Sequence, residues 1–324
     1  MKKSKIILIV FLLLVFSNSA SFPFEKVGTT SFQFLKISMS SRASAMGGSL
    51  TALVDNSEAV FINPAGLASV EFIDASVSYL DWLLDVKHYS FSAAYNFEGI
   101  GTIGFHGLFT DVGEIEVTRV SSLGFVGENY NPGLTGEVIK PGAGSFGISF
   151  ARFLTDKFAF GLTAKYVYED LVYEKTGELV FDGGLVFKTG FRSIVLAASL
   201  LHFGPKVQFI DKSYPLPQTF TIGISGHLFS PGDPLLAQVN GHDLVISYDM
   251  VQPRDFDQQH VVGLEYSYDN MIFLRGGYKF NGDQEGLSAG VGLLFQNYRL
   301  DYAFNDYGQY LNSVHRVTLG FQFN

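Results

Sequence analysis

The sequence lacks cysteine, and it has few charged residues for its length. None of its 324 residues is cysteine, which excludes a fold held by disulfide bonds and any metal site built from thiolates. Charged residues make up 16% of the chain, against about 25% in soluble globular proteins. The net charge is −9, whereas nucleic acid binding requires a basic surface. We therefore expect no nucleic acid partner.

The chain also lacks a hydrophobic run long enough for a membrane-spanning helix, which needs about 20 apolar residues. Its longest run, residues 6–16, follows a lysine-rich start and precedes four small residues. This order is typical of a cleaved export signal. We therefore predict a signal peptide over residues 1–20, cut near Ala20, so that the mature chain begins near Ser21 or Ser19.

Aromatic residues are abundant, and they alternate with polar residues along most of the chain. They make up 15% of it, with 32 Phe and 16 Tyr. In residues 88–97, Tyr89 and Phe91 point to one face of a strand, whereas Ser90 and Ser92 point to the other. About 14 segments alternate in this way, and most have the ~9–11 residues that a tilted strand needs to cross a bilayer. They are predicted at residues 72–80, 87–97, 100–110, 143–153, 158–169, 178–189, 193–203, 218–229, 242–251, 259–268, 271–280, 286–296, 297–305 and 313–323.

Charged residues within these segments fall on the polar face. A charge that faces lipid costs about 2–4 kcal/mol at the bilayer midplane, so these residues are predicted to point into a barrel, where their mixed signs indicate paired networks. The fold class is predicted to be all-β: a transmembrane antiparallel β-barrel of about 14 strands. A soluble β-sandwich also alternates, but it needs more surface charge than this chain has. The predicted lumen charges are Lys165, Asp249, Glu265, Arg275, Arg299, Asp301 and Arg316.

Residues 21–71 do not alternate, and their small and apolar residues suggest one or two short helices. A barrel of 14 strands encloses more volume than its own side chains fill. We therefore predict that residues 21–71 form an N-terminal plug and that residues 72–324 form the barrel.

Both ends of the chain resemble the PorV/PorQ family of outer-membrane proteins. The similar stretches are RASAMGGSLTA at 42–52, FINPAGLA at 61–68, LDYAF at 300–304 and HRVTLGFQF at 315–323. The Asn-Pro-Ala core is shared with the wider FadL-like superfamily of fatty-acid transporters. The resemblance implies a 14-stranded outer-membrane barrel with a plug. The resemblance also implies a structural or a ligand-gating role for nine residues of this segment. They are Arg42, Met46, Gly47, Gly48, Asp55, Asn63, Pro64, Ala65 and Gly66.

The resemblance leaves two functions open, and neither is enzymatic. The leading one is a component of type IX-like protein secretion, with outer-membrane lipid around the barrel and with translocon and cargo proteins at the loops 111–142 and 204–217. The alternative is a FadL-like transporter that passes hydrophobic small molecules across the outer membrane and binds them as ligands. A barrel enzyme such as a lipid hydrolase is the third reading, and the sequence argues against it.

Catalytic and metal-binding residues are not predicted. Inward Ser and His residues could serve a hydrolase, but the chain has no Gly-x-Ser-x-Gly turn, and such histidines are usually hydrogen-bonded lumen residues. Four aspartates near a predicted loop could bind Ca²⁺, but a solvated acidic loop is the simpler reading. We therefore expect no catalytic site, no cofactor and no metal. The residues considered are His88, His106, His227, Ser90 and Ser92 for catalysis and Asp243, Asp249, Asp255 and Asp257 for Ca²⁺.

Overall fold

The structure is a computed structural model that describes residues 28–282, 286–308 and 313–323. The predicted signal peptide, including its cleavage near Ala20, lies outside the described residues. Among the described residues, no helix combines the length and the apolar character needed to span a membrane.

Nineteen strands account for most of the described chain. They are β1 (Ile73–Asp81), β2 (Lys87–Phe97), β3 (Gly101–Asp111), β4 (Ile115–Val126), β5 (Asn129–Ile139), β6 (Gly142–Thr155), β7 (Phe158–Asp170), β8 (Lys175–Lys188), β9 (Val195–Phe203), β10 (Val207–Phe209), β11 (Lys212–Tyr214), β12 (Thr219–Ser230), β13 (Ala237–Gln238), β14 (His242–Pro253), β15 (Gln259–Tyr268), β16 (Ile272–Phe280), β17 (Leu287–Phe295), β18 (Tyr298–Asn305) and β19 (Val314–Phe323).

Fourteen of these strands form a closed antiparallel barrel, which confirms the predicted fold class. The strands outside the ring are β4, β5, β10, β11 and the two-residue β13. Strands that follow one another in the ring are hydrogen-bonded neighbours, and β9 pairs with β12. The ring closes where the first strand meets the last, with Ile73 opposite Phe323.

The barrel wall is apolar on its outer face and carries most of its polar side chains on its inner face, because successive side chains of a strand point to opposite faces. On β2, Tyr89 and Phe91 are 43% and 40% exposed and point outward, whereas His88, Ser90 and Ser92 are buried. The other barrel strands have exposed aromatic and aliphatic side chains opposite buried Ser, Thr and charged residues, and toward the loop end some of the buried inward residues are apolar, such as Leu80, Leu108 and Val167. The outer surface is therefore suited to lipid.

The two ends of the barrel differ. Ile73 and Phe323 lie at one end, called here the terminal end, and β4–β5 and β10–β11 stand at the opposite loop end. The longer link of residues 231–241 also lies at the terminal end, among the short turns. The chain there folds back beside β12 and forms β13 in parallel with it. The short turns at the terminal end are 98–100, 156–157, 269–271 and 296–297.

Residues 28–72, called the inner segment, lie inside the barrel wall. Their helices contact β16 to β19 on one side and β3, β6, β7 and β8 on the other. A further 3-10 helix, Leu83–Asp85, joins β1 to β2. The helices of the inner segment are the 3-10 helix Gln33–Lys36, the α-helices Ser41–Ala45 and Ala59–Ile62, and the 3-10 helix Pro64–Ser69.

Candidate functional site

The floor segment, defined as residues 40–70, fits against glycines of the wall. Met46 is fully buried, and a Cβ added to Gly277 of β16 would lie 2.1 Å from its carbonyl carbon. Gly47 and Gly48 follow the helix with φ of +70° and +101°, which is the left-handed region that favours glycine. The predicted residues Met46, Gly47 and Gly48 therefore form a tight turn that touches the wall.

The Asn63–Gly66 motif makes structural contacts at the opposite wall. Asn63 caps the 3-10 helix Pro64–Ser69 by accepting a hydrogen bond from the Ala65 N–H at 3.2 Å. A Cβ on Gly161 of β7 would lie 2.3 Å from the carbonyl carbon of Pro64. A Cβ on Gly66 would lie 2.4 Å from the carbonyl oxygen of Val54, which also belongs to the floor segment. These contacts hold the floor segment in place, and a gating role for the motif stays a prediction.

Charged side chains connect the floor segment to the wall. Arg42 Nη2 lies 2.8 Å from Glu265 Oε1, and Arg42 Nη1 lies 3.0 Å from Asp55 Oδ1. The second oxygen of Glu265 accepts from Arg275 Nε at 2.5 Å. Arg275 Nη1 in turn donates to Asp301 Oδ1 at 2.5 Å. The predicted plug residue Arg42 is thus joined to three of the predicted lumen charges.

Arg299 links the same network back to the floor segment. Its Nε lies 3.0 Å from Asp301 Oδ2, and its Nη2 lies 3.3 Å from Glu58 Oε2. Asp74 of β1 lies 3.9 Å from Arg299 and accepts a hydrogen bond from the Ser57 N–H. Sequence reasoning missed both acidic partners. Asp74 shares the inward side of β1 with Ser76 and could have been found from the alternation, whereas Glu58 lies in a stretch without periodicity.

The remaining predicted lumen charges have separate partners. Lys165 Nζ lies 2.6 Å from Asp182 Oδ2 and 2.9 Å from His202 Nδ1. Asp249 accepts a hydrogen bond at 3.0 Å from the backbone N–H of Thr51, which belongs to the floor segment. All of these side chains are buried inside the barrel.

Arg316 of β19 lies near the loop end. Its Nε donates to the carbonyl of Ser38 at 3.0 Å, it also bonds to Asn305, and its guanidinium lies 5.6 Å from the ring centroid of Trp82. Lumen charges therefore reach the inner segment at several heights of the barrel.

The histidines and serines considered for catalysis are not joined by hydrogen bonds. His88 bonds to Thr110, and Ser92 bonds to Ser76 and Ser57. His227 bonds to Asp243 at the terminal end.

The aspartates considered for Ca²⁺ are also apart. Asp243 is engaged by His227 at the terminal end, Asp249 faces the floor segment, and Asp255 lies in the link after β14 at the loop end. Over the described ranges, no group of three or more acidic or histidine side chains is placed to hold a metal ion.

A cavity of about 790 Å³ lies between the floor segment and the loop end. The floor side is formed by residues such as Gly47 and Phe61, and the loop side by residues 33–39 and by the links between strands. Most of the lining side chains are apolar, with a few charged groups such as Lys165, Glu169 and Arg316 among them. Apolar lining residues include Phe34, Ile37, Trp82, Leu108, Ala143 and Val251.

Comparison with known proteins gives a match in structure only. No protein-family model matches the chain, and no curated protein matches it in sequence. The toluene transporter TbuX of Ralstonia pickettii is similar with a TM-score of 0.59 and 14% identity, covering 87% of this chain and 98% of that one. The toluene transporter TodX of Pseudomonas putida has a TM-score of 0.54 and 14% identity, covering 88% of this chain and 98% of that one. A FadL homologue of Pseudomonas aeruginosa has a TM-score of 0.52 and 10% identity, covering 88% of this chain and 98% of that one.

The chain therefore has the barrel fold of these FadL-like proteins. At such low identity the likeness establishes the fold alone. Two of these neighbours are named toluene transporters. Nothing in the comparisons supports type IX secretion or membership of PorV/PorQ in particular, and both stay predictions.

Proposed function

We propose that this protein is an outer-membrane channel for hydrophobic small molecules. The cavity of about 790 Å³ inside the barrel carries the proposal, because small-molecule sites are mostly apolar pockets of about 300–1,000 Å³ with few polar groups. The toluene transporters that share the fold lend support. The floor segment is then the plug beneath the bound molecule, and the apolar outer wall contacts the lipid.

Bromobenzene binding to the purified protein tests this function. Trp82 is the only tryptophan of the chain and lines the cavity, and bromobenzene has about the size of toluene and quenches tryptophan on contact. We expect saturable quenching that toluene competes away. Ala143→Phe should weaken it about tenfold or more, because the added ring takes up cavity space that the bound molecule needs, and crowding of this kind costs about 1–3 kcal/mol.

The matched control is Ile148→Phe on the same strand, since Ile148 points outward and is exposed. It should bind as the wild type does. Quenching that does not saturate, or that is equal in the two variants, would overturn the proposed function.

A protein partner at the loop end is a second candidate, favoured by the hairpin of β4 and β5. These strands pair with each other and stand outside the barrel sheet. Val120 and Phe125 are 85% and 74% exposed, and an isolated two-stranded hairpin is marginally stable in water. Both observations favour a partner that covers the hairpin. The secretion hypothesis places such a partner, a translocon or cargo protein, at the loop 111–142.

Affinity purification from solubilised outer membranes tests this candidate. The wild type and a variant with residues 115–139 replaced by a short glycine-serine linker are compared by mass spectrometry. A protein recovered with the wild type and lost with the variant is the expected result. Identical partner sets would remove the hairpin as a docking site.

A further inference from the structure

The strap, defined as residues 30–39, is fastened at one carboxylate of the loop end. Asp255 lies in the link after β14, and its side chain is only 1% exposed. Its Oδ2 accepts from Thr30 Oγ1 at 2.8 Å, from Gln33 Nε2 at 3.1 Å and from Lys36 Nζ at 3.0 Å. Three side chains within seven residues of the strap therefore converge on a single oxygen.

The rest of the strap crosses the loop side of the cavity. Beside the Asp255 link, the Ser31 N–H donates to the carbonyl of Pro215 at 2.9 Å, and the ring of Phe32 packs against Phe209. Further along, the carbonyl of Ser38 accepts from Arg316 of β19. Strands β15 to β18 lie between the Asp255 link and β19 in the ring. The strap thus bridges separate parts of the rim, and residues 33–39 line the cavity below.

The strap and the floor segment are held in different ways. The floor segment is fitted to wall glycines and joined to the buried network of Arg42, Glu265 and Arg275. The strap is held by loop contacts, by the hydrogen bond from Arg316 and by apolar packing against wall residues such as Leu108. Its Phe32 has a left-handed φ of 49°. A bulky residue in that region is strained and persists because its surroundings impose it. The strap therefore has attachments of its own, separate from those of the floor segment.

We propose that the strap is a gate between the cavity and the loop end, and that Asp255 is its latch. This inference rests on the proposed function, because a gate requires a molecule to pass. Opening exposes the apolar cavity to molecules on the loop side, and closing seals them in.

The latch is charged at neutral pH. Burial alone would raise the pKa of Asp255, but the hydrogen bonds from Gln33, Thr30 and Lys36 outweigh this and hold its pKa below the usual value of an aspartate. Each of these bonds is a charge-assisted one, the stronger class of hydrogen bond. Removal of the carboxylate should therefore release the strap.

Cysteine labelling of the strap tests the gate without any ligand. Ser31→Cys is a conservative change at a buried position in a chain that has no other cysteine. A maleimide should label it slowly in the otherwise wild-type protein. Adding Asp255→Ala should accelerate labelling by about tenfold or more, the change expected from losing one hydrogen bond to a charged group. Adding Asp257→Ala, an exposed aspartate of the same link, should leave the rate unchanged. Equal rates in the two variants overturn the latch.

A disulfide lock then tests passage. Ser31→Cys with Pro215→Cys places the two cysteines at residues whose backbones are joined by the Ser31–Pro215 hydrogen bond, and loss of free thiols on oxidation reports whether the disulfide has formed. Bromobenzene should quench Trp82 at least about tenfold more slowly in the oxidised than in the reduced double variant. Equal rates with the disulfide formed would overturn the gate. Absence of saturable quenching in the wild type would instead overturn the proposed function, and the labelling rates would still decide whether Asp255 holds the strap.

Discussion

Replacing Arg275 with methionine is expected to lower the free energy of unfolding by about 3–5 kcal/mol, as when one partner of a buried ion pair is removed. Arg275 lies between two carboxylates, with Nε 2.5 Å from Glu265 and Nη1 2.5 Å from Asp301. Methionine keeps much of the side-chain volume but leaves both carboxylates short of positive charge. In the variant, Arg42 still lies beside Glu265 and Arg299 still lies beside Asp301. Because each carboxylate keeps one positive neighbour, the loss should not exceed this range.

Urea unfolding of the protein in lipid vesicles measures this loss, followed by the difference in gel mobility between folded and unfolded barrel. The control is Arg119→Met on the hairpin of β4 and β5. Arg119 pairs with Glu137 at 3.1 Å, but both side chains are about half exposed, and such surface pairs contribute only about 0–1 kcal/mol. Similar losses in the two variants would show that the inner network does not stabilise the barrel.

Gly277→Ala is expected to push the floor segment away from the wall and to raise the ion conductance of the barrel. The new Cβ would lie 2.1 Å from the carbonyl carbon of Met46 and 2.3 Å from the nitrogen of Gly47. Both contacts are with backbone, so no side chain can rotate out of the way. Crowding of a packed interior costs about 1–3 kcal/mol, and the floor segment can relieve it by leaving the wall.

Single-channel recording in planar bilayers measures the conductance. Gly276→Ala is the matched control, because the neighbouring glycine has only one atom near an added Cβ, Ser288 O at 3.9 Å. It should conduct as the wild type does. If Gly277→Ala also conducts as the wild type does, the floor segment is not what closes the lumen.

The barrel strands could be predicted because alternation is a local signal. The segments predicted at 87–97 and 259–268 coincide with β2 and β15. In both strands most outward side chains are apolar and most inward ones are polar, with Ala94 and Val261 as inward apolar exceptions. Lipid on one side and a polar interior on the other impose period-2 patterning, and a single sequence is enough to reveal it.

The hairpin of β4 and β5 and the floor contacts could not be predicted in the same way. Both faces of the hairpin are largely exposed, so nothing imposes an alternation there. The partners of Arg42 and Asn63 lie 223 and 122 residues away in the chain. Such distant pairings follow from how the segment fits into the closed ring, and no spacing in the sequence encodes them. The latch at Asp255 was missed for the same reason, since the aspartate stands in what looks like an ordinary acidic loop.

The closure of the ring has a consequence for how the protein is made. The ring closes between β1 and β19, so both edges of the sheet stay unpaired until these two strands meet. The floor segment touches both strands of this seam: the Ser57 N–H donates to Asp74 of β1 at 2.8 Å, and Ser41 Oγ bonds to Thr318 of β19 at 2.8 Å. Unpaired edges are prone to wrong associations. A segment that binds both strands of the seam is a template on which folding can bring the two edges together in register.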